Sequence, residues 1–347
     1  MALHDLSERE RQVLEAVVRS YVETAEPAGS RTLSRRFRLG VSPATIRNTM
    51  ADLEEKGFLY HPHTSAGRIP TDKAYRVYVD ALMRLEPPPS IERERLAEQI
   101  GERGSAIETI LRRAAQSLGV LTQELGIALG PRLDRTILQK LELVRMSNER
   151  LILVLTLQGG SVRTIFIEIA GEIADDAIAE VQLVLNERLG GLSLSEIRQT
   201  LGERLRDVGS RGGATELLNI FVQEGEQLFD VAVAEDEESV VLGQASVLAE
   251  KPEFASGERM KQLLALTETR THLASFLRQR SDSPGVSITI GDEHGSLLLG
   301  GLTVVTAEYH AGRLTGVIGV IGPTRMPYEK VISLVTHTSS LVTDLLA

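Results

Sequence analysis

The stretch Ser30–Asp72, SRTLSRRFRLGVSPATIRNTMADLEEKGFLYHPHTSAGRIPTD, constrains this chain more than any other, because its helix punctuation admits few folds. Ser30 is placed to cap a short helix whose apolar face is Leu33 and Phe37, and Arg38, Leu39, Gly40 and Val41 supply a turn. Ser42 is a favourable N-cap, and Pro43 suits the first helical position, where its missing N–H costs no hydrogen bond. In the helix that follows, Ile46, Met50 and Leu53 recur at i, i+4 and i+7 and so face a core. Ala44, Thr45, Arg47, Asn48 and Thr49 fall mostly on its other faces, near its N-terminus. Gly57 is placed to close that helix as its C′ residue.

Ahead of this run, Ser7 and Glu10 have capping-box spacing, and Leu6 stands where a hydrophobic staple begins. Val13, Leu14, Val17, Val18, Tyr21 and Val22 form one apolar stripe, which makes a first helix of three. Phe58, Leu59 and Tyr60 read as a short strand, Thr64 to Gly67 as a small tip, and Arg68 and Ile69 as the return strand. Pro70, Thr71 and Asp72 end the hairpin and start a further helix with Tyr75, Tyr78, Val79 and Leu82 inward. Three helices and a hairpin make a winged helix-turn-helix, in which the N-terminal part of the third helix meets base edges in the major groove.

In such a module Arg47 and Asn48 are the first candidates for base contact, since arginine pairs with guanine and asparagine with adenine. The alternative is that one of them contacts phosphate or holds the helix to the wing. Ala44 and Thr45 are placed to meet a thymine methyl. Arg68 suits either a narrow minor groove or a phosphate. Ser30, Arg31, Thr32, Ser42, His63 and Lys73 are candidates for backbone or wing contacts, which position a protein on DNA without specifying the sequence.

Charge supports this locally. The whole chain carries 38 basic and 48 acidic side chains, a net of −10, and that balance repels phosphate. Between Ser30 and Arg76, however, nine basic residues (Arg31, Arg35, Arg36, Arg38, Arg47, Lys56, Arg68, Lys73, Arg76) face four acidic ones (Asp52, Glu54, Glu55, Asp72). Positive potential is therefore confined to the candidate reader. Phosphate neutralisation dominates affinity and makes it fall with salt, while an acidic remainder suppresses non-specific binding.

Four motifs carry a resemblance. EPAGSRTLSRRF (Glu26–Phe37), VSPATIRNTMADLEEKGFL (Val41–Leu59), PHTSAGRIPTDKAYRVYVD (Pro62–Asp80) and IGPTRMPYEKVIS (Ile321–Ser333) resemble the heat-inducible transcription repressor family HrcA. The third motif is long and is not generic to winged helices. Relatives often carry an acidic residue after the Arg-Asn pair; Thr49 stands there in this chain, which bears on base preference. The resemblance implies an N-terminal winged helix, a GAF-like α/β domain and a dimerising domain inserted into the latter. It further implies a repressor of chaperone operons that binds an inverted-repeat operator as a homodimer and releases it on heat stress. In many relatives a GroE-type chaperonin promotes the active form.

At 347 residues the chain has room for two or three domains. The expected class is α+β multidomain. The expected parts are a winged-helix DNA-binding domain at 1–86, a linker and helix at 87–103, a GAF-like domain at 104–166 and 255–347, and an inserted helix-rich α+β dimerisation domain at 167–254. Pro87 to Ser90 begin the linker, and a polar helical stretch follows. Helical spacing runs from Ile107 to Leu125, and strands are read at Ile137–Met146, Leu151–Leu157 and Val162–Ile169, with Ser147 to Glu149 turning between the first two. From Ala174 the pattern is mostly helical. Val240–Leu248 reads as a strand, Met260 to Leu277 as helical, and Val286–Ile290, Leu302–Glu308 and Leu314–Ile321 as strands before a last helix near Pro327. Leucine-rich helices between Ala174 and Val222 are read equally as a dimer interface or as ordinary core.

The remaining residues offer little chemistry. No stretch approaches the ~20 apolar residues needed to span a bilayer, and the charged start MALHDLSERER lacks the form of a secretory signal; a cytoplasmic protein that does not enter membranes is expected. The absence of cysteine excludes disulfides, thiolate zinc sites and cysteine nucleophiles. His61 and His63 share a face of an extended strand but lack further metal ligands. Gly159-Gly160, Gly190-Gly191, Gly212-Gly213 and Gly300-Gly301 read as turns, and none builds a phosphate-binding loop. His294, after Asp292 and Glu293, is read as a solvated loop residue, and Arg325 as ordering a domain contact. No cofactor, metal or catalytic constellation is indicated. Two other readings stay open: a ligand-responsive metabolic regulator with an effector pocket in the GAF-like domain, and an enzyme carrying a DNA-binding head.

Overall fold

The computed structural model of the chain describes residues 6–63, 66–101, 106–131, 136–158, 162–169, 171, 173–206, 213–234, 240–281, 285–295, 299–312 and 314–347. Thr64 and Ser65 of the expected hairpin tip, the pair Gly159-Gly160, and Gly212 lie outside the described residues. The chain is an α+β protein in two compact units: Met1–Leu129 with Val240–Tyr309 and Val317–Leu346, and Gly130–Ser239 with His310–Gly316.

The first unit opens with α1 (Glu8–Thr24), which starts at a reciprocal cap. The Ser7 hydroxyl accepts the Glu10 N–H at 3.3 Å and the Glu10 carboxylate accepts the Ser7 N–H at 2.8 Å, satisfying two donors that a helix start leaves open. α1 buries Val13, Leu14, Val17 and Val18. In α2 (Ser30–Arg36) the N-cap is Gly29, so Ser30 is the first helical residue rather than the cap. The chain is fixed one residue earlier than expected, where Ala28 exchanges both backbone hydrogen bonds with Arg68 at 2.9 Å. Leu33 is buried, whereas Phe37 is already extended and only partly covered.

α3 (Pro43–Glu55) follows its expected punctuation. Ser42 caps it by accepting the Thr45 N–H at 3.2 Å, Pro43 leads, and Gly57 turns the chain out at φ +76°. Ile46, Met50 and Leu53 face inward, and so does Thr49, which was expected on an outer face. Thr49 stands one turn before Leu53, and its hydroxyl returns to the Thr45 carbonyl at 3.1 Å, which lets a polar side chain sit there. β1 (Leu59–Tyr60) and β2 (Ile69–Pro70) pair antiparallel, Leu59 opposite Pro70 and Tyr60 opposite Ile69. Thr71 then caps α4 (Asp72–Val77), which runs on as one π turn, Tyr78–Leu82. Tyr75, Tyr78 and Val79 are buried as expected; Leu82 is only partly covered.

Residues 83–89 carry no regular structure and lead to α5 (Ser90–Ile100) and α6 (Ile107–Thr122). Helical spacing predicts α6 through Leu125, but the helix ends at Gln123, φ +58°, and Leu125–Leu129 is strand β3, buried throughout. A short all-apolar run carries no period that separates strand from helix. α6 lies so close on β3 that a Cβ on Gly126 would stand 1.8 Å from the Ala115 carbonyl oxygen.

The second unit holds β4 (Leu138–Ser147), β5 (Arg150–Leu157) and β6 (Val162–Glu168), antiparallel in that order, with α7 (Asp175–Leu189), α8 (Leu194–Leu205) and α9 (Gly213–Ala234). These strands were expected in the GAF-like body, with an insertion opening at 167. Instead Leu141, Leu143, Leu151, Leu153, Leu155, Ile165 and Ile167 share one core with Val181, Leu185 and Leu189, and the unit opens after Leu129. Alternation along a strand reveals its two faces but not what covers them.

The first unit resumes with β7 (Val240–Leu242), shorter than the strand predicted to Leu248, because the chain turns into α10 (Ser246–Ala249). α11 (Gly257–Glu268), α12 (Arg270–Ser281), β8 (Val286–Ile290), a 3₁₀ turn at Gly291–His294, β9 (Leu302–Ala311), β10 (Leu314–Pro323) and α13 (Tyr328–Leu346) complete it. The five strands lie in the order β7-β3-β10-β9-β8. One side of this sheet packs Leu125, Ile127, Val304, Val317 and Ile321 against Leu263, Leu266, Leu273 and Leu277 of α11 and α12. Among the described residues no helix is long and apolar enough to cross a membrane.

Candidate nucleic-acid interface

The N-terminal end of α3 is an exposed polar stretch. Ala44, Arg47 and Asn48 stand at i, i+3 and i+4, which places them on one face, and all three are exposed. Arg47 and Asn48 hydrogen-bond nothing among the described residues, so both side chains are available to a partner. Thr45 is half-buried, and its hydroxyl lies 3.0 Å from the Ser42 hydroxyl, so the cap already engages it. The helix start also presents N–H groups without intrahelical partners, a favourable site for an anionic oxygen.

Around this strip, Arg31, Thr32 and Arg35 of α2 are exposed and Ser30 is half-buried. Arg36 is engaged with Glu23 of α1. Three of the positions expected to contact DNA are tied within the fold. Ser42 serves as the cap of α3. Arg68 reaches back from the hairpin to Glu54 of α3, Nη2 to Oε2 at 2.7 Å. Lys73 donates to the Lys56 carbonyl at 2.9 Å and lies 4.2 Å over the Phe58 ring. His63 is exposed. His61 does not continue a strand beside it: β1 ends at Tyr60, and the His61 Nδ1 pairs with Glu54.

Glu54 and Glu10 therefore organise the segment, and neither stood out in the sequence as more than a charge or a cap. Glu54 holds the hairpin through Arg68 and His61. Glu10, only 8% exposed, takes the Lys56 ammonium at 2.7 Å and so joins the start of α1 to the end of α3. Burial opposes ionisation of Glu10, but the Lys56 hydrogen bond and the two from Ser7 outweigh it and hold the carboxyl below its ordinary value. The only signal for Glu10 was its capping-box spacing. For Glu54 there was none, since its partner lies across a hairpin.

The back of the same segment meets the five-stranded part of its unit. Arg76 of α4 grips Glu293 in the 3₁₀ turn with two hydrogen bonds of 2.8 and 2.5 Å. Arg325, ahead of α13, grips Glu253 in the same bidentate way and donates to the Val22 carbonyl of α1 at 3.0 Å. Arg325, expected to order a domain contact, thus ties α1 to the chain near Glu253 within one compact unit. His294, expected to be solvated, is half-buried, with Nε2 2.9 Å from the Leu302 carbonyl.

Comparison with known proteins gives this geometry a setting. The family model described as the HrcA protein C-terminal domain matches residues 108–332. Proteins named heat-inducible transcription repressor HrcA are 37% identical in Chlorobium chlorochromatii, covering 100% of this chain and 99% of the relative. In Geobacter sulfurreducens the identity is 38%, over 99% and 98%. A crystal structure titled only as a hypothetical protein superposes with a TM-score of 0.63 at 24% identity over 99% of both chains, which shows the shared fold. A family model over most of the chain and full-length relatives above one-third identity together establish that the chain belongs to the heat-inducible transcription repressor family HrcA.

Proposed function

We propose that the chain is a sequence-specific DNA-binding repressor of heat-shock chaperone operons, which binds an inverted-repeat operator as a homodimer and releases it on heat stress. In this reading residues 1–86 are the winged helix-turn-helix reader, with α3 as the recognition helix and β1–β2 as the wing. Arg47 and Asn48 contact base edges, with Ala44 and Thr45 beside them. Ser30, Arg31, Thr32, Ser42, His63, Arg68 and Lys73 line the backbone side, Arg68 and Lys73 chiefly by holding the wing and the helix end. The five-stranded part is the GAF-like body and the three-stranded unit is the dimerising insertion.

The observation that carries the reading is the exposed, unengaged Arg47–Asn48 pair at the capped start of α3, inside a basic segment of an acidic chain. Support for dimerisation comes from the outer face of the three-stranded sheet. Val144 and Phe166 flank Ile152 across the ladder, and Met146 and Val162 are also exposed. Contiguous apolar surface of this kind marks contact sites. For the chaperonin the support is the family alone: a GroE-type chaperonin restores the operator-binding form.

The test is fluorescence anisotropy of the purified protein on an inverted-repeat operator from a chaperone promoter, against a scrambled duplex, across a salt series. Operator preference that disappears with Arg47→Ala is the expected result. Equal weak binding to both duplexes, unchanged after chaperonin is added, overturns it.

A second reading, an effector-responsive regulator, has one observation in its favour. A cavity of about 420 Å³ is lined by Leu266, His272, Leu273, Phe276 and His294. Thermal stabilisation by a small aromatic or carboxylate metabolite, lost on Phe276→Ala, would favour it.

A further inference from the structure

The motif IGPTRMPYEKVIS, Ile321–Ser333, is far along the chain from the helix-turn-helix, yet its side chains close on the back of that segment. The Tyr328 ring packs 5.8 Å from Tyr75 of α4, both buried. Tyr78 of the π turn donates its hydroxyl hydrogen to Glu329. Ser333 donates to the Glu86 carbonyl at 2.5 Å, and Lys330 pairs with Glu92 of α5 at 2.9 Å. Arg325 takes the Val22 carbonyl near the C-terminal end of α1, where helix carbonyls lack intrahelical partners and a cation is favoured.

A second fastening stands apart from that motif. Arg76 holds Glu293 bidentately and also donates to the Ile288 carbonyl at 2.8 Å, on β8 at the open edge of the sheet. Beside it Asp72 accepts the Asp292 N–H at 3.2 Å. Gly291 permits this approach: it adopts φ +55°, and a Cβ there would stand 1.7 Å from the Asp72 carboxylate. Bidentate arginine–carboxylate pairs fix orientation as well as distance. Arg76–Glu293 fastens α4 directly, and Arg325, oriented by Glu253 within the body, fastens α1 through the Val22 carbonyl, so the segment is restrained at two separate points. Both leave Ala44, Arg47 and Asn48 uncovered. Arg76, part of the basic excess of this segment, is therefore committed to the body and not to a phosphate.

We propose that Arg325–Glu253 and Arg76–Glu293 are positioning pairs for operator reading: they set the angle at which the body holds the recognition helix, and hence the separation of two half-sites that a dimer accepts. The inference rests on the DNA-binding reading above. Half-site spacing in a two-fold dimer is fixed by the geometry that carries the two recognition helices. A tethered reader free to swivel would accept many spacings; a fastened one accepts few.

The experiment measures binding of the full-length protein to inverted repeats whose spacer is varied one base pair at a time, and to a single half-site at low salt. Wild type should show a narrow spacing optimum. Glu293→Lys sets two cations face to face; it should flatten the profile, lower affinity at the optimum at least tenfold, and leave half-site binding within twofold. The double charge swap Arg76→Glu/Glu293→Lys should restore the narrow profile. Arg325→Gln, which loosens the other pair without adding repulsion, should broaden it in the same way. An unchanged profile in both Glu293→Lys and Arg325→Gln overturns the proposal, as does a half-site loss equal to the loss at the optimum. Wild type without operator preference would overturn the DNA-binding reading itself, and this proposal with it.

Discussion

Arg68 of the hairpin and Glu54 of α3 form an ion pair at 2.7 Å, both side chains about three-quarters covered. The hairpin arginine offered by the sequence for a minor groove or a phosphate is thus bound to the helix that carries the candidate base contacts. Glu54 also takes His61, so one carboxylate fixes both limbs of the hairpin relative to α3. Glu54→Gln keeps the side-chain shape and removes the charge. The pair should contribute on the order of 1 kcal/mol or less to folding, so thermal stability changes little. Freed from Glu54, Arg68 adds to non-specific attraction while the hairpin loses its register. The ratio of operator to scrambled-duplex affinity should fall severalfold; an unchanged ratio would sink the idea that this pair holds the hairpin.

Arg31 and Asn48 should separate positioning from specification. Both are exposed, so neither substitution should unfold the protein. Arg31→Ala is expected to weaken operator and scrambled duplex alike and to reduce the salt slope by about 1. Asn48→Ala is expected to cost about 1–3 kcal/mol on the operator alone and to leave the slope intact. Titrations at several salt concentrations read both quantities; a changed slope for Asn48→Ala would reassign it to phosphate.

Local punctuation was legible wherever one residue decided it. Ser7 with Glu10, Ser42 with Pro43, and Gly57 each set an end of a helix by their own backbone chemistry. Ser30 was misplaced by one residue because the deciding interaction, the Ala28–Arg68 bridge, comes from across the hairpin. The same limit hid β3, whose buried run Leu125–Leu129 has no period, and misassigned β4 to β6, whose alternation is equally compatible with either core. At the candidate site the exposed strip could be read from helical spacing, but Thr49 could not, because its burial depends on a hydroxyl returning to its own helix. Glu54, Glu293 and Glu253 were invisible as positioners, since each pairs with an arginine distant in sequence.

A buried carboxyl should make stability fall toward alkaline pH. Glu124, fully buried between α6 and β3, lies 2.5 Å from the Lys251 ammonium, and a Cβ on Gly322 would stand 2.0 Å from its other oxygen. Burial pushes the Glu124 carboxyl up to about 8 despite Lys251. An unfolded glutamate titrates near 4.3. Between those values the folded state binds more protons than the unfolded one, so this contribution is present at low pH and is lost as pH rises through about 8. Glu124→Gln should remove the decline. Thermal midpoints of both proteins at pH values below, within and above the window check this; parallel declines would mean another group is responsible.

The outer face of the three-stranded sheet is where the proposed homodimer should be most vulnerable. Phe166 is 64% exposed on β6 and lies opposite Ile152 of β5, which lies opposite Val144 of β4. Burying a phenylalanine side chain fully contributes about 1.5–3 kcal/mol, and in a two-fold contact each such residue counts twice. Phe166→Glu therefore places two carboxylates where two rings would meet. Because Phe166 takes no part in the core beneath the sheet, which is built from Ile165 and Ile167, the unit should still fold. Sedimentation is expected to show a dimer for wild type and a monomer for the variant at the same micromolar concentration. Operator affinity should then drop to that of a single half-site, while half-site binding is retained. A variant that stays dimeric would move the interface to the leucine-rich helices α7 and α8, where Leu183 is 70% exposed.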